Sequence, residues 1–240
     1  MKKVHLGDDS WTTIANNVRS GNTSLYNIGD TKKITVDGTN YTVRLANNST
    51  PSECDGTDFS QTACGFVVEF ADIVENRQMN STDTNVGGWK DSAMRTYANG
   101  AFFNNLPEDL RNVIKATKVV SGHGSDDNNA EREDGNWESE DKIYLLSAHE
   151  VWEDKIHRDT AYNQTRQLDY YKNLGVNTIS SKASIAAMKK TISASSGSSW
   201  WLRAADYYND TYFLGVAGSG GSNNGIADSD NGFAPAFRIG

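Results

Sequence analysis

The residues best equipped for recognition chemistry lie at the end of the chain. After Trp201 there is no Lys, Glu, Gln, Met or further Trp, while Tyr, Asn, Asp, Ser and Gly crowd residues 206–231. Tyr offers a large, rigid contact area at low entropic cost, and Ser, Gly and Asn offer adaptable hydrogen bonding, which is the composition of a paratope. The candidate contact residues are Asp206, Tyr207, Tyr208, Asn209, Asp210, Tyr212, Gly215, Ala217, Ser219, Ser222, Asn223, Asn224, Asp228, Asp230 and Asn231. Tyr207, Tyr208 and Tyr212 are expected to be the anchors, because aromatic residues dominate interface hot spots. Gly215, Ala217, Ser219 and Ser222 are read as positions that happen to carry small residues here. The bland alternative is a polar surface loop with no partner.

Other reactive groups point to no catalytic, metal or cofactor site. The four histidines, His5, His123, His149 and His157, are scattered, and His149-Glu150 fails as a zinc-protease motif because Glu153 stands where the second His is needed. The acidic stretch 125–141 carries enough oxygens for Ca²⁺ but lacks the fixed alternating spacing of an EF-hand, so a solvated loop is the default reading. Cys54 and Cys64 suit either one loop-stapling disulfide or two free thiols. Gly218-Ser219-Gly220-Gly221-Ser222 is glycine-rich but is followed by Asn and Asp with no Lys, which disfavours a phosphate cradle. Trp200, Trp201 and Arg203 read as scaffold, with Arg203 expected to pair with an acidic residue.

With 240 residues, a net charge of −8 and a pI near 5.0, the chain lacks the basic footprint that nucleic-acid binding needs. No run of eighteen apolar residues exists to insert into a membrane. Met1-Lys2-Lys3 leads into Val4-His5-Leu6-Gly7, without the apolar segment of a signal peptide. A mean hydropathy of −0.63 with six Trp and eight Phe predicts a folded core under long polar loops.

The elements that must position the tail are expected as follows. A helix over 11–18 starts from Asp9 or Ser10 as N-cap. Strands at 33–36 and 41–45 flank Asp37-Gly38 in a hairpin. Further strands are expected at 65–70, 118–120, 142–146, 200–203, 213–216 and 233–239. Helices are expected at 89–97, from 106–110 onward behind Pro107, at 148–154, at 168–174 and at 185–192. Strands and helices alternate without a βαβ beat, which predicts one α+β domain over 1–240 with an irregular, mostly antiparallel sheet.

Several segments resemble a domain of uncharacterised function common in gut bacteria and their phages. They are Gly87-Gly88-Trp89-Lys90-Asp91-Ser92-Ala93-Met94-Arg95, Phe103-Asn104-Asn105-Leu106-Pro107, Ile143-Tyr144-Leu145-Leu146-Ser147, Trp200-Trp201-Leu202-Arg203 and Gly232-Phe233-Ala234-Pro235-Ala236-Phe237-Arg238-Ile239. Such domains look like C-type lectin folds of the branch that includes the formylglycine-generating enzymes. Part of that branch serves as the variable proteins of diversity-generating retroelements, in which adenine-directed errors turn AAC codons into Tyr, Asp, Ser, Gly and others, never into Lys, Glu, Gln, Met or Trp. The resemblance therefore implies a ligand-binding, protein-binding display module, not an enzyme, with residues 200–240 as its variable region, carried on a phage virion or bacterial cell surface. The calcium-lectin motifs and the late cysteine pair of the formylglycine-generating enzymes are missing, so neither activity is implied. The rival expectations are a glycan-binding or glycan-processing, or sulfatase-modifying-like, enzyme on the same fold, and a purely structural virion or surface protein.

Overall fold

The computed structural model describes residues 3–124, 135–156, 158–179, 189–192 and 198–240. Its first α-helix is α1, Trp11–Arg19, where the Ser10 hydroxyl accepts from the Thr13 N–H at 3.1 Å and so satisfies one of the orphan donors of the first turn. Trp11, Ile14 and Ala15 face inward, and Trp11 meets Phe237 edge-on at 6.1 Å. Strands β1 (Thr31–Val36) and β2 (Thr39–Asn47) form the expected hairpin, with Asp37 at φ 47° and Gly38 at φ 77°. Two successive left-handed residues match the twist of the strands, and Asp-Gly tolerates them.

Strand β3 (Phe66–Phe70) is buried along its whole length, because β2 covers one edge and the C-terminal strand the other. Short strand β4 (Glu75–Arg77) follows. The helix expected at 89–97 is broken into α2 (Gly88–Asp91) and α3 (Ala93–Tyr97). Ser92 is extended at the break and its hydroxyl caps α3 by accepting from Arg95 N–H, so a capping residue inside a helical pattern stopped one helix and started the next. The chain continues through a π-helical turn, Ala98–Phe102, into α4 (Phe103–Asn105) and then α5 (Glu108–Arg111).

Strands β5 (Ile114–Lys115), β6 (Thr117–Ser121) and β7 (Trp137–Asp141) come next, with β6 and β7 paired antiparallel. The strand expected at 142–146 is thus displaced. Residues 143–146 are buried but make only one bridge, in which Tyr144 and Ala236 exchange both backbone bonds. An unbroken apolar run says that a segment is buried and not which partner its backbone takes. Helices α6 (Ala148–Val151) and α7 (Asp169–Asn173) follow, the first shorter than the 148–154 expected. Residues 185–188 of the helix expected at 185–192, and residues 125–134 of the acidic stretch, lie outside the described residues; 189–192 are not helical, because Lys190 makes an antiparallel bridge with Ser198 instead.

The tail supplies β8 (Trp200–Ala205), β9 (Tyr212–Val216), β10 (Ser222–Ile226), β11 (Asn231–Phe233) and β12 (Ala236–Ile239). One sheet has the order β1-β2-β3-β12-β5 and another β10-β9-β8-β11-β4. All pairings are antiparallel except β8 with β11. The single strand expected at 233–239 is therefore two strands in different sheets, divided at Ala234-Pro235. Pro has no N–H to give a ladder, and the break lets the tail pass from one sheet to the other. The described structure is α+β with mostly antiparallel sheets, as the interspersed pattern implies. Between the sheets Phe70, Phe102, Phe233 and Phe237 form a ring stack with centroid separations of 4.9 to 6.5 Å.

Two buried charge clusters tie these layers together. In the first, Glu69 of β3 accepts from Arg44 at 2.8 Å, Lys190 at 2.8 Å and the Tyr171 hydroxyl at 2.9 Å. Burial alone would raise the Glu69 carboxyl, but Arg44 and Lys190 outweigh it and bring it down to about 2. Lys190, buried and sharing its carboxylate with Arg44, is pushed down to about 8. The folded Glu69 pKa lies below its ordinary 4.5, so its stabilisation is complete above that pH and is lost as pH falls toward 2. Thermal melts from pH 7 downward should show a melting temperature that drops steeply below about pH 4.5, and Glu69→Gln should flatten that limb.

The second cluster joins β8 to α6. Arg203 grips Glu150 with two bonds of 2.6 and 2.7 Å, and neither side chain has any exposed surface. Arg203 also donates to the carbonyls of Val120 and Leu145, while Glu150 accepts from Thr165, Thr62 and the Ser147 N–H. The acidic partner expected for Arg203 is Glu150, the residue beside His149. Cys54 and Cys64 form a disulfide that closes the loop presenting Ser60 and Thr62 to this pair.

Candidate binding surface

From β8 the chain runs through the loop 206–211, the β9–β10 hairpin and the turn 227–230 back into β11. Three side chains from outside this stretch hold it in place, two through its backbone and one through the Asp206 carboxylate. The amide of Asn85 donates toward the carbonyls of Asp206, Asn209 and Tyr212 at 3.1, 2.6 and 2.8 Å, and the Asn85 N–H donates to Asp210 O at 2.7 Å. Arg158 donates to the Asp206 carboxylate at 2.7 Å. Gln78 donates to the Asp228 carbonyl. Beneath the hairpin, the Trp201 indole N–H donates to Arg77 O at 2.8 Å. Trp201 also lies so close to Gly225 that a Cβ there would come within 2.6 Å of the ring. The loop geometry is thus set by framework residues, and its outward side chains make few of the bonds that hold it.

Of the fifteen candidate residues, six are exposed: Tyr208, Asp210, Ser219, Ser222, Asn223 and Asp230. Asn209, Tyr212, Ala217, Asn224, Asp228 and Asn231 are half-buried. Three differ from the expectation of a displayed side chain. Asp206 is fully buried, and its carboxylate accepts from Arg158, from Asn224 at 3.2 Å and from the Tyr208 N–H at 2.9 Å, so it is a framework hub. Tyr207 is buried, and its ring stacks under Tyr208 at 4.2 Å, leaving Tyr208 as the exposed member, 58% accessible. Gly215 lies mid-strand opposite Trp201, where a Cβ would approach the Trp200 carbonyl to 2.8 Å, so its lack of a side chain is a packing requirement. Gly215 is inward because β9 pairs with β8, Asp206 because it accepts from Arg158, Asn224 and the Tyr208 N–H, and Tyr207 because it lies under Tyr208, none of which composition reports.

Sequence reasoning also missed Asn85, Arg158 and strand β10. Ser222-Asn223-Asn224-Gly225-Ile226 has weak strand propensity, and it is ordered by its register against β9, with Asn224 opposite Leu214 and Ile226 opposite Tyr212. Between this hairpin and the segment carrying Arg158 opens a cavity of about 300 Å³ lined by Ile156, Arg158, Leu214, Ser222, Asn223 and Asn224. Elsewhere on the surface the Asp83 carboxyl is pushed above its ordinary value by desolvation and by the like charges of Asp228 and Asp210.

Of the groups read for chemistry elsewhere, His149 and Asp141 are framework. His149 packs on Tyr162 at 3.9 Å, and burial pushes its imidazole down. Asp141, the last residue of the acidic stretch, is buried between Trp89 and Arg95. Among the described residues no group of three or more His, Cys, Asp or Glu is placed to hold a metal ion.

Residues 66–240, nearly three-quarters of the chain and all of the candidate surface, match the family DUF6273, a domain of unknown function. The chain belongs to the DUF6273 family. No curated protein and no solved structure matches it. In this DUF6273 domain the tail is continuous with the core, since β8 and β12 are each flanked by strands on both sides. Asn85→Ala removes the donors that gather three loop carbonyls while touching no exposed tail side chain. It should lower stability by about 1–3 kcal/mol through unsatisfied buried carbonyls, and hydrogen exchange should speed up in 206–212 more than in β3.

Proposed function

We propose that this protein is a ligand-binding display module, acting by recognition without catalysis, whose surface at 206–231 binds a protein or other cell-surface ligand. The observation that carries the reading is the division of labour in the tail. Its backbone is clamped by Asn85 and Gln78, its buried Asp206 by Arg158, and its hairpin rests on Trp201, while Tyr208, Asp210, Tyr212, Ser222, Asn223 and Asp230 project outward or partly outward from it. A rigid scaffold with projecting Tyr, Asn, Ser and Asp can change partner by substitution without unfolding.

Every residue from 206 to 231 belongs to the set reachable from AAC by adenine changes, which supports diversification by a retroelement on a C-type-lectin-like scaffold. The Cys54–Cys64 disulfide supports an oxidising location such as a virion or cell surface. The carboxylates Glu69 and Glu150, both held below their ordinary values, sit in buried ion pairs in the core, which favours binding over an enzyme's cleft chemistry. Sequencing the genomic neighbourhood tests the diversification. A reverse transcriptase and a near-copy of the tail's coding sequence, differing at adenines, are expected, and their absence would reject it.

A further inference from the structure

The cavity beside the β9–β10 hairpin has a chemistry unlike the rest of the tail. Although the chain carries a net charge of −8, no acidic side chain lines it among the described residues. One wall is Arg158, whose side chain is 46% exposed and lies 5.7 Å from the centre of the Tyr208 ring. Its guanidinium bonds only Asp206 among the described residues, so most of its five N–H donors remain available. Asp206 itself is saturated by Tyr208 N–H, Asn224 and Arg158, and it acts as a buried strut that fixes the direction of the guanidinium. Ser222, Asn223 and Asn224 offer hydroxyl and amide groups that both donate and accept, and Leu214 and Ile156 give an apolar floor.

We propose that this cavity binds a carboxylate-bearing sugar residue of the ligand, with Arg158 as the carboxylate anchor. This rests on the binding-module reading and names the ligand class for it. A forked cation suits a carboxylate, paired donor–acceptor side chains suit vicinal hydroxyls, and an apolar floor suits the C–H face of a pyranose. A protein carboxylate alone would use the cation and leave the hydroxyl-matching groups and most of the 300 Å³ unfilled. Arg158 lies outside 206–231, so diversification of the tail would change the groups around the sugar and leave the anchor constant. The carboxylate is then the shared element across variants of the surface, and the rest of the ligand is the part they discriminate.

The test is titration of the intact protein, by calorimetry or NMR, with glucuronate and N-acetylneuraminate, with glucose and N-acetylgalactosamine as neutral sugars, and with acetate as a bare carboxylate. The acidic sugars should bind in the millimolar range, with neutral sugars and acetate each about tenfold weaker or more. Arg158→Met should reduce acidic-sugar affinity about ten- to hundredfold, the loss of a charge-assisted pair. Because that change also strands Asp206, Ser222→Trp provides a second variant that fills the cavity from an exposed position. It should abolish binding with the melting temperature unchanged. Equal affinity for neutral sugars, equal affinity for acetate, or no acidic-sugar binding would each overturn the proposal. None of these outcomes bears on the retroelement template or on tolerance of the tail to substitution, which test the parent reading separately.

Discussion

Arg203→Met is expected to cost about 3–5 kcal/mol, because it leaves the Glu150 carboxylate charged and buried with no cation beside it. Both side chains are fully buried, and the pair is bidentate. Burial pushes the Glu150 carboxyl up, while Arg203, the Thr62 hydroxyl and the Ser147 N–H outweigh it and hold it below its ordinary value. With Arg203 gone, the largest of those opposing influences disappears and the carboxyl must rise or the site must open. Combining Arg203→Met with Glu150→Gln should recover part of the loss, since the amide carries no charge and its oxygen still accepts from Thr62 and Thr165, although its NH2 then faces the Ser147 N–H. Denaturant midpoints for the two single variants and the double variant measure the coupling. A loss below about 1 kcal/mol for Arg203→Met would mean that the pair contributes nothing beyond its surroundings.

Trp201→Ala and Phe237→Ala should each cost about 3–5 kcal/mol through the cavity left behind. Trp201 is fully buried, supports the Gly225 backbone and gives its N–H to Arg77 O. Phe237 packs against Trp11 and Phe70 where α1 meets the sheet. Joint replacement of Tyr208, Asp210, Ser219, Ser222, Asn223 and Asp230 within the adenine-reachable set should behave differently, at about ±0.5 kcal/mol per exposed site. Asp206, Tyr207 and Gly215 belong with the framework in this comparison, and changing them should cost stability although they are part of the same stretch. Thermal melts on such a library separate the two groups. If the six exposed positions lost as much stability as Trp201→Ala, the tail would be core and the display reading would go with it.

Features whose signal is local were legible before the structure. Asp37-Gly38 requires left-handed backbone at two adjacent positions, and the hairpin formed there. Ser10 ahead of an amphipathic stretch started α1. The apolar–polar mixture of Trp200 to Arg203 marked a strand with a charge in need of a partner, and that partner exists. Where the signal is a continuous apolar run, as at 143–146, burial was legible and pairing was not. Lys142 to Leu146 can satisfy its backbone against either neighbour, and the structure spent the β6 edge on Trp137–Asp141 instead.

By itself the sequence determined which residue types the tail carries, that the chain has both helices and strands, and that its net charge is −8. These follow from composition and from periodicities that act over a few residues. Only the tertiary structure decided which tail side chains face out, because β8 and β9 pair in a register that turns Gly215 inward, while Tyr207 packs beneath Tyr208. It alone brought Asn85 and Arg158 to the tail from 121 and 48 residues away from Asp206. Contacts at such separations leave no periodic trace in the sequence, since each depends on the summed path of all the elements between.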